Sequence, residues 1–253
     1  MDLRERTDAN GKRHPWERSR LKAIRTICRK IPIRERDLRI LDVGCGDGFI
    51  SRELAKDGTI GFITGVDIGL SEQQAAAMAI GGREVAFYNT YDALERNGYN
   101  LALLLDVVEH VEEDKAYLLD IVRNYLDEEG YLVLTVPAFP FLFGSHDRFL
   151  QHHRRYTRMG LVDLVRSAHL ECLSSGYLFF SLLPVRFLSL CFETWFPSKK
   201  GKIHGVGSWN RGAFVSNVLE FLLDADVRFG MALQKAGITL PGLTAWVLCR
   251  KRR

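Results

Sequence analysis

Residues 39–48 read Arg39-Ile40-Leu41-Asp42-Val43-Gly44-Cys45-Gly46-Asp47-Gly48. The apolar run has the length and composition of a buried strand. Three glycines at alternate positions then close it in a tight turn, and Gly48 to Lys56 reads as a helix. Glycine supplies left-handed backbone without strain and lets a ligand lie against bare peptide near a helix N-terminus. Asp67 stands 23 positions after Gly44, at the end of the next apolar run, Phe62 to Val66. An acid there can accept hydrogen bonds from both hydroxyls of a ribose. A dinucleotide fingerprint would need a third glycine where this chain has Phe49, and Asp47 puts negative charge where a pyrophosphate would lie. The loop therefore suits a cationic nucleoside without phosphate. S-adenosylmethionine, with its ribose, adenine, sulfonium and ammonium, is such a ligand.

Outward from this turn the pattern alternates. Upstream, Leu21, Ile24, Ile27, Cys28 and Ile31 recur at helical spacing between Trp16 and Ile31. Downstream, Ser71 with Gln74 three residues on is a capping box that predicts a helix ending at Gly81-Gly82. Glu84–Tyr88 and Leu101–Leu105 read as strands three and four, Glu112–Leu126 as a helix, and Gly130 as the turn into strand five, Tyr131–Val136. Leu161–Leu170 reads as a helix, Glu171–Leu178 as strand six, and Leu243–Cys249 as the last strand. Strands and helices alternating at this spacing imply a parallel sheet covered on both faces, and right-handed crossovers make it doubly wound. The expected fold is α/β and Rossmann-like, with a mostly parallel seven-stranded sheet, an N-terminal helix and a helical insertion before the last strand. Residues 1–38 are expected to form a helical cap. Residues 39–178 and 241–253 then form the core, with a long loop at 137–157, and 179–240 is the insertion within the same domain.

The loop DVGCGDG, Asp67 and the run Leu105-Asp106-Val107-Val108-Glu109-His110-Val111 together resemble the class I S-adenosylmethionine-dependent methyltransferases, over about residues 39–136. The resemblance implies that Gly44, Cys45 and Gly46, with Asp47 beside them, cradle the methionyl part and that Asp42 helps hold its amino group. It also implies that Asp67, followed by Ile68, meets the ribose, that Asp92 meets the adenine amine, and that Asp106 lines the pocket. Asp92 reads equally as a helix N-cap before Ala93-Leu94. Asn100 stands where the family commonly has aspartate.

Residues 137–156, PAFPFLFGSHDRFLQHHRRY, are similar to a bacterial subset that carries HD and then GH-x-RRY after strand five, with Gln151 here in place of the glycine. His14-Pro15-Trp16-Glu17, followed by Arg20, also resembles that subset, whose first helix caps the cofactor site and whose members often accompany sugar- and lipid-modifying enzymes. O-methylation needs a hydroxyl oxygen in line with the S–CH₃ bond and a base for its proton, and histidine serves near neutral pH. His152 is the first candidate base, then His146, then His110. Asp147 can orient a histidine, and Arg154, Arg155 and Tyr156 can hold an acceptor's phosphate or carboxylate. An ion-pair network that simply pins the loop stays open as an equal reading. Glu109-His110 also reads as a capped, packed pair, and with no full ligand set at motif spacing no metal is expected.

Composition bounds the rest. The chain of 253 residues is 47% hydrophobic and 26% charged, which excludes disordered, collagenous and disulfide-stapled classes. The net charge of +4 is unevenly placed: residues 1–39 carry 13 Lys/Arg against 6 Asp/Glu, and the tail Arg250-Lys251-Arg252-Arg253 is wholly basic. Five scattered cysteines without a C-x-x-C pair suit a reducing compartment, and MDLRERTD lacks the apolar core of a secretory signal. Tyr177–Phe196 reaches the ~20 residues of a membrane span, but Pro184, Arg186 and Glu193 interrupt it. Followed by Lys199, Lys200 and Lys202, this stretch reads as a helical lid, or as a helix lying on anionic lipid. The expectation is a cytoplasmic methyltransferase, with peripheral contact at the inner membrane face as the companion reading. It would act on a saccharide, glycolipid or related small-metabolite hydroxyl. RNA methylation, supported only by the basic first helix, and a catalytically silent cofactor-binding membrane adaptor are the alternatives.

Overall fold

The computed structural model describes residues 13–34, 38–56, 60–80, 83–195, 209 and 211–252. The expected stop at Gly81-Gly82, the lysines at 199, 200 and 202, and the first twelve residues lie outside the described residues. The element order is α1 (Pro15–Cys28), β1 (Arg39–Val43), α2 (Phe49–Lys56), β2 (Phe62–Val66), β3 (Ala77–Ile80), β4 (Arg83–Tyr88), β5 (Tyr99–Leu105), α3 (Asp114–Asn124), β6 (Leu126–Pro137), α4 (Ser145–Phe149), α5 (Arg158–Ser167), β7 (Leu170–Leu178), α6 (Leu182–Trp195), α7 (Ala213–Lys235) and β8 (Thr244–Lys251).

The strands form one sheet in the order β3-β4-β2-β1-β5-β6-β8-β7. The stretch from β4 to β6 is parallel, whereas β3 runs against β4, and β8 runs against both β6 and β7. The sheet is therefore mixed and eight-stranded, where seven mostly parallel strands were expected. Alternate residues of one strand feed opposite cores, as a pleat requires. Leu101 and Leu103 of β5 join Ile24 and Ile27 of α1, Leu54 of α2 and Leu223 of α7, while Ala102 and Leu104 join Leu118 of α3 and Leu161 of α5.

The extra strand replaces the helix expected from Ser71. The capping contact forms, Ser71 N donating to Gln74 Oε1 at 2.9 Å, but the helix stops after one turn, with Ala75 N donating to Ser71 O at 3.0 Å. The next residues alternate small and long, and Ala77–Ile80 pairs with β4 while Met78 and Ile80 pack against the core. Satisfying the free edge of β4 outweighs the local helix preference of the alanines. Strand β6 likewise starts at Leu126, before Gly130, because Tyr99 of β5 pairs with Leu126 across an irregularity in the ladder.

Strand β6 delivers the chain to the site. Its last residue, Pro137, opens the long loop, which returns when Phe139 N donates to Tyr156 O (2.8 Å) and Tyr156 N to Pro137 O (3.1 Å). In the insertion, α7 packs Leu223, Val227 and Met231 into the core, yet Phe214, Val218, Phe221 and Leu222 are exposed. Helix α6 exposes Val185, Leu188, Phe192 and Trp195. Among the described residues no helix is long and apolar enough to cross a membrane.

This burial pattern predicts that Leu103→Ala, at a wholly buried position, costs about 2–5 kcal/mol in urea unfolding. Leu188→Ala, at an exposed one, changes stability by no more than about 0.5 kcal/mol.

Candidate functional site

The glycine turn has the backbone its sequence requires: Gly44, Gly46 and Gly48 have φ of 65°, 56° and 72°. A Cβ on Gly44 would sit 2.6 Å from Val107 Cγ2, so the turn also presses against the segment leaving β5. Gly44 N and Cys45 N donate to Val66 O at 2.7 and 3.1 Å, which fastens the turn to the end of β2. Asp67 is held there by peptide groups, Gly46 N donating to one carboxylate oxygen and Gly69 N to the other, both at 2.8 Å. A carboxylate has about four acceptor positions, so two remain for a diol. The neighbouring Ile68 is exposed.

Four further acids take separate positions. Asp42 is buried and accepts from Ser51 Oγ at 2.5 Å, and burial pushes its carboxyl up to about 6. Burial would also raise Asp47, but Arg13 pairs with it and holds it below its ordinary value, and Phe49 N donates to it at 3.2 Å. Asp106, in a left-handed conformation with φ of 58°, accepts from Thr135 Oγ1 at 3.0 Å and pairs with the buried Arg20 of α1 at 2.9 Å. Asp92 lies exposed in a single 3₁₀ turn, Tyr91–Ala93, whose N-cap is Thr90 rather than Asp92. Cys45 is buried, and burial pushes its thiol up. A bare glycine turn, a backbone-oriented Asp67 and flanking carboxylates form an acceptor-rich set. That set fits a cationic nucleoside with a free ribose and suits no phosphate.

The loop is organised around Asp147, whose side chain is fully buried. Its Oδ1 accepts from Arg155 Nε at 2.7 Å and lies 3.0 Å from His152 Nδ1, while Oδ2 accepts from Gly144 N at 2.9 Å. Arg186 of α6 stands 3.6 Å from Oδ2. Burial alone would raise this acid, but the hydrogen bonds from His152 and Arg155 hold it well below the usual carboxylate range. An ionised carboxylate only accepts, so Nδ1 of His152 donates to it and Nε2 is the ring nitrogen left for a further partner. The ring of His110 meets that of His152 edge-on, centroids 4.6 Å apart. His153 N donates to Glu109 O at 2.7 Å, and Glu109 is wholly buried in the 3₁₀ turn Val108–His110. The N-cap residue of that turn, Val107, makes no side-chain capping bond. Burial lowers His146.

Arg155 and Tyr156 are built into the loop's scaffold rather than presented to a ligand. Arg155 is buried and also donates to Ala138 O at 3.1 Å, and Tyr156 Oη donates to Asp114 at 2.8 Å. Arg154 donates to Asp114 at 3.2 Å and to Glu112 O at 2.6 Å but stays partly exposed. Sequence reasoning assigned no role to Thr135, Arg186 or Glu193. Glu193 accepts from Ser145 Oγ at 2.8 Å and Arg186 donates to it at 2.9 Å. The two charged residues that interrupt the apolar run thus lie seven apart on one helix face and hold the loop.

A family described as a methyltransferase domain matches residues 16–177. The search of curated proteins found no match. Similar solved structures include the cyclase SpnF, at 18% identity and a TM-score of 0.56, covering 97% of this chain and 85% of that one. A chain from the complex between the Haloferax volcanii Trm112 methyltransferase activator and a putative methyltransferase aligns at 14% identity and a TM-score of 0.55, covering 94% and 91%. An S-adenosylmethionine-dependent methyltransferase from Mesorhizobium loti aligns at 14% identity and a TM-score of 0.53, covering 92% and 98%. At these identities the likeness is one of fold.

Asp42 gives a prediction with a definite sign. Its folded value of about 6 lies above its unfolded value, so its contribution to stability is complete below pH ~4 and is lost as pH rises through 6. Urea unfolding of the ligand-free protein at pH 4, 5, 6 and 7 should show this loss, and Asp42→Asn should lack it; equal slopes in the two proteins would contradict the assignment.

Proposed function

Because the chain belongs to the methyltransferase-domain family, with S-adenosylmethionine as its methyl donor, we propose that it methylates a hydroxyl oxygen of a saccharide, glycolipid or related metabolite. The acceptor site in this reading is built on Asp147 and His152. The observation that carries it is the 3.0 Å contact between the buried Asp147 carboxylate and His152 Nδ1. It fixes one tautomer and one ring orientation and leaves Nε2 as a proton acceptor.

The bound donor supplies a sulfonium methyl, and this chain's own residues do the rest. Asp67 holds the ribose, Asp42 and the Gly44–Gly46 turn hold the amino-acid end, and Asp106 is steadied by Arg20 and Thr135. Ile68 offers an apolar surface to the nucleoside, and Asp92 meets the adenine amine. His152 Nε2 takes the hydroxyl proton as the oxygen–methyl bond forms, a contribution of roughly 10²–10⁴-fold. Asp147 stays ionised throughout and stabilises the imidazolium. Arg154, the least buried of Arg154, Arg155 and Tyr156, meets an anionic group on the acceptor. The exposed Val185, Leu188, Phe192 and Trp195 lie on the helix whose other face holds the Asp147 loop, which supports a lipid-linked acceptor.

Thermal unfolding with S-adenosylmethionine should show stabilisation that grows with ligand concentration, and none at millimolar ligand would sink the donor assignment. His152→Ala should lose at least ~10²-fold in transfer while keeping that stabilisation; unchanged turnover would remove His152 from the reaction. Flotation with anionic liposomes should carry the protein upward and should fail for Leu188→Asp/Phe192→Asp. Absence of wild-type flotation would leave a soluble acceptor.

A further inference from the structure

Glu109 is the least explained side chain in the protein. It is wholly buried, and neither carboxylate oxygen has a hydrogen-bond partner. An ionised carboxylate buried without a partner costs several kcal/mol. A neutral carboxyl at this position would only exchange that cost for a buried O–H with no acceptor. Native structures rarely tolerate either state. The surroundings suggest what is missing: ligand atoms of Glu109, His110 and His152 all lie within 4.8 Å of one another.

We infer that Glu109, His110 and His152 form a binding site for a divalent transition-metal cation. Two imidazoles and one carboxylate suit zinc, manganese, iron or cobalt, whereas magnesium and calcium favour all-oxygen sets. Bonds of about 2.0–2.2 Å place ligand atoms roughly 3–4 Å apart, so a pair at the 4.8 Å limit must close by roughly 1–2 Å. His152 already has the outer partner that metal-bound histidines carry: its Nδ1 faces the Asp147 carboxylate, which leaves Nε2 for the cation. Three protein ligands leave coordination positions open, and these are where an acceptor oxygen can bind.

The inference rests on the methyl-transfer reading only for what occupies those open positions, and it changes one part of it. Nε2 cannot both ligate and take a proton. In the loaded protein the acceptor oxygen binds the cation and releases its proton to water. The alkoxide lone pair then forms the new O–CH₃ bond as the S–CH₃ bond breaks and its electron pair returns to sulfur. Asp147 keeps its place as the group that orients His152.

The test is cobalt binding to the untagged, chelator-stripped full chain, read by visible absorption and by equilibrium dialysis. The expected result is one Co²⁺ per chain with a d–d band, displaced by Zn²⁺. Affinity should fall at least tenfold in Glu109→Gln and in His110→Gln, and 10–100-fold in Asp147→Asn. Should one variant fail to fold, another carries the comparison, and thermal stabilisation by S-adenosylmethionine reports on the fold of each. No stoichiometric Co²⁺ in the wild type, or binding unchanged in the folded variants, would overturn the cation site. Stabilisation by S-adenosylmethionine without Co²⁺ binding would leave His152 as the base; Co²⁺ binding without that stabilisation would retain the site and remove the methyl-transfer reading.

Discussion

Asp147 carries a buried negative charge, and several parts of the molecule are arranged around it. The arginine two positions from His153, Arg155, neutralises it, the peptide N–H of Gly144 binds its second oxygen, and Arg186 approaches from α6. A charge removed from water stays ionised only with such partners, and losing one of them from a buried pair typically costs about 3–5 kcal/mol. That requirement turns residues 137–157 from an open connection into a fixed structure. It also couples three features: the end of β6, the His152 imidazole and the helical insertion.

The first helix meets the same region from the other side. Arg20 reaches Asp106 and Thr135, Arg13 reaches Asp47, and the helix is itself started by His14, whose side chain accepts from Trp16 N at 3.0 Å. The basic N-terminal segment therefore spends part of its charge on the acids of the nucleoside pocket. The uneven distribution of charge along the chain is in this respect a feature of the pocket's construction. Helix α7 adds ion pairs from Glu220 to Arg18 and Lys22, so cap and insertion also meet each other.

Much of this was legible in the order of residues. The Arg39–Gly48 stretch, Asp67 and the alternation of apolar runs specify β1, β2, β5 and β6 with the turn between β1 and α2, because buried parallel strands and glycine turns are locally encoded. The segment after Ser71 was misread because a capping box reports only the first turn of a helix, whereas the strand at Ala77–Ile80 depends on an edge supplied by β4. His146, Asp147, His152 and Arg155 were legible as a set, but their pairing was not, since a tight loop lets many pairings satisfy the same spacing. The isolation of Glu109 had no local signal at all: which groups surround a buried acid depends on β5, the loop and α1 arriving together. Arg186 and Glu193 were visible only as interruptions of an apolar run, and their spacing of seven was the overlooked sign of a shared helix face.

The reading of the whole chain turns on where the methyl group goes. Labelled S-adenosylmethionine supplied with cell extract divided into lipid, glycan, RNA and small-molecule fractions measures this directly. The account predicts label in the glycan, lipid or small-molecule fraction, in an ether that survives mild alkali and depends on His152. Label confined to RNA, or no transfer to any fraction by protein that binds the donor, would contradict it.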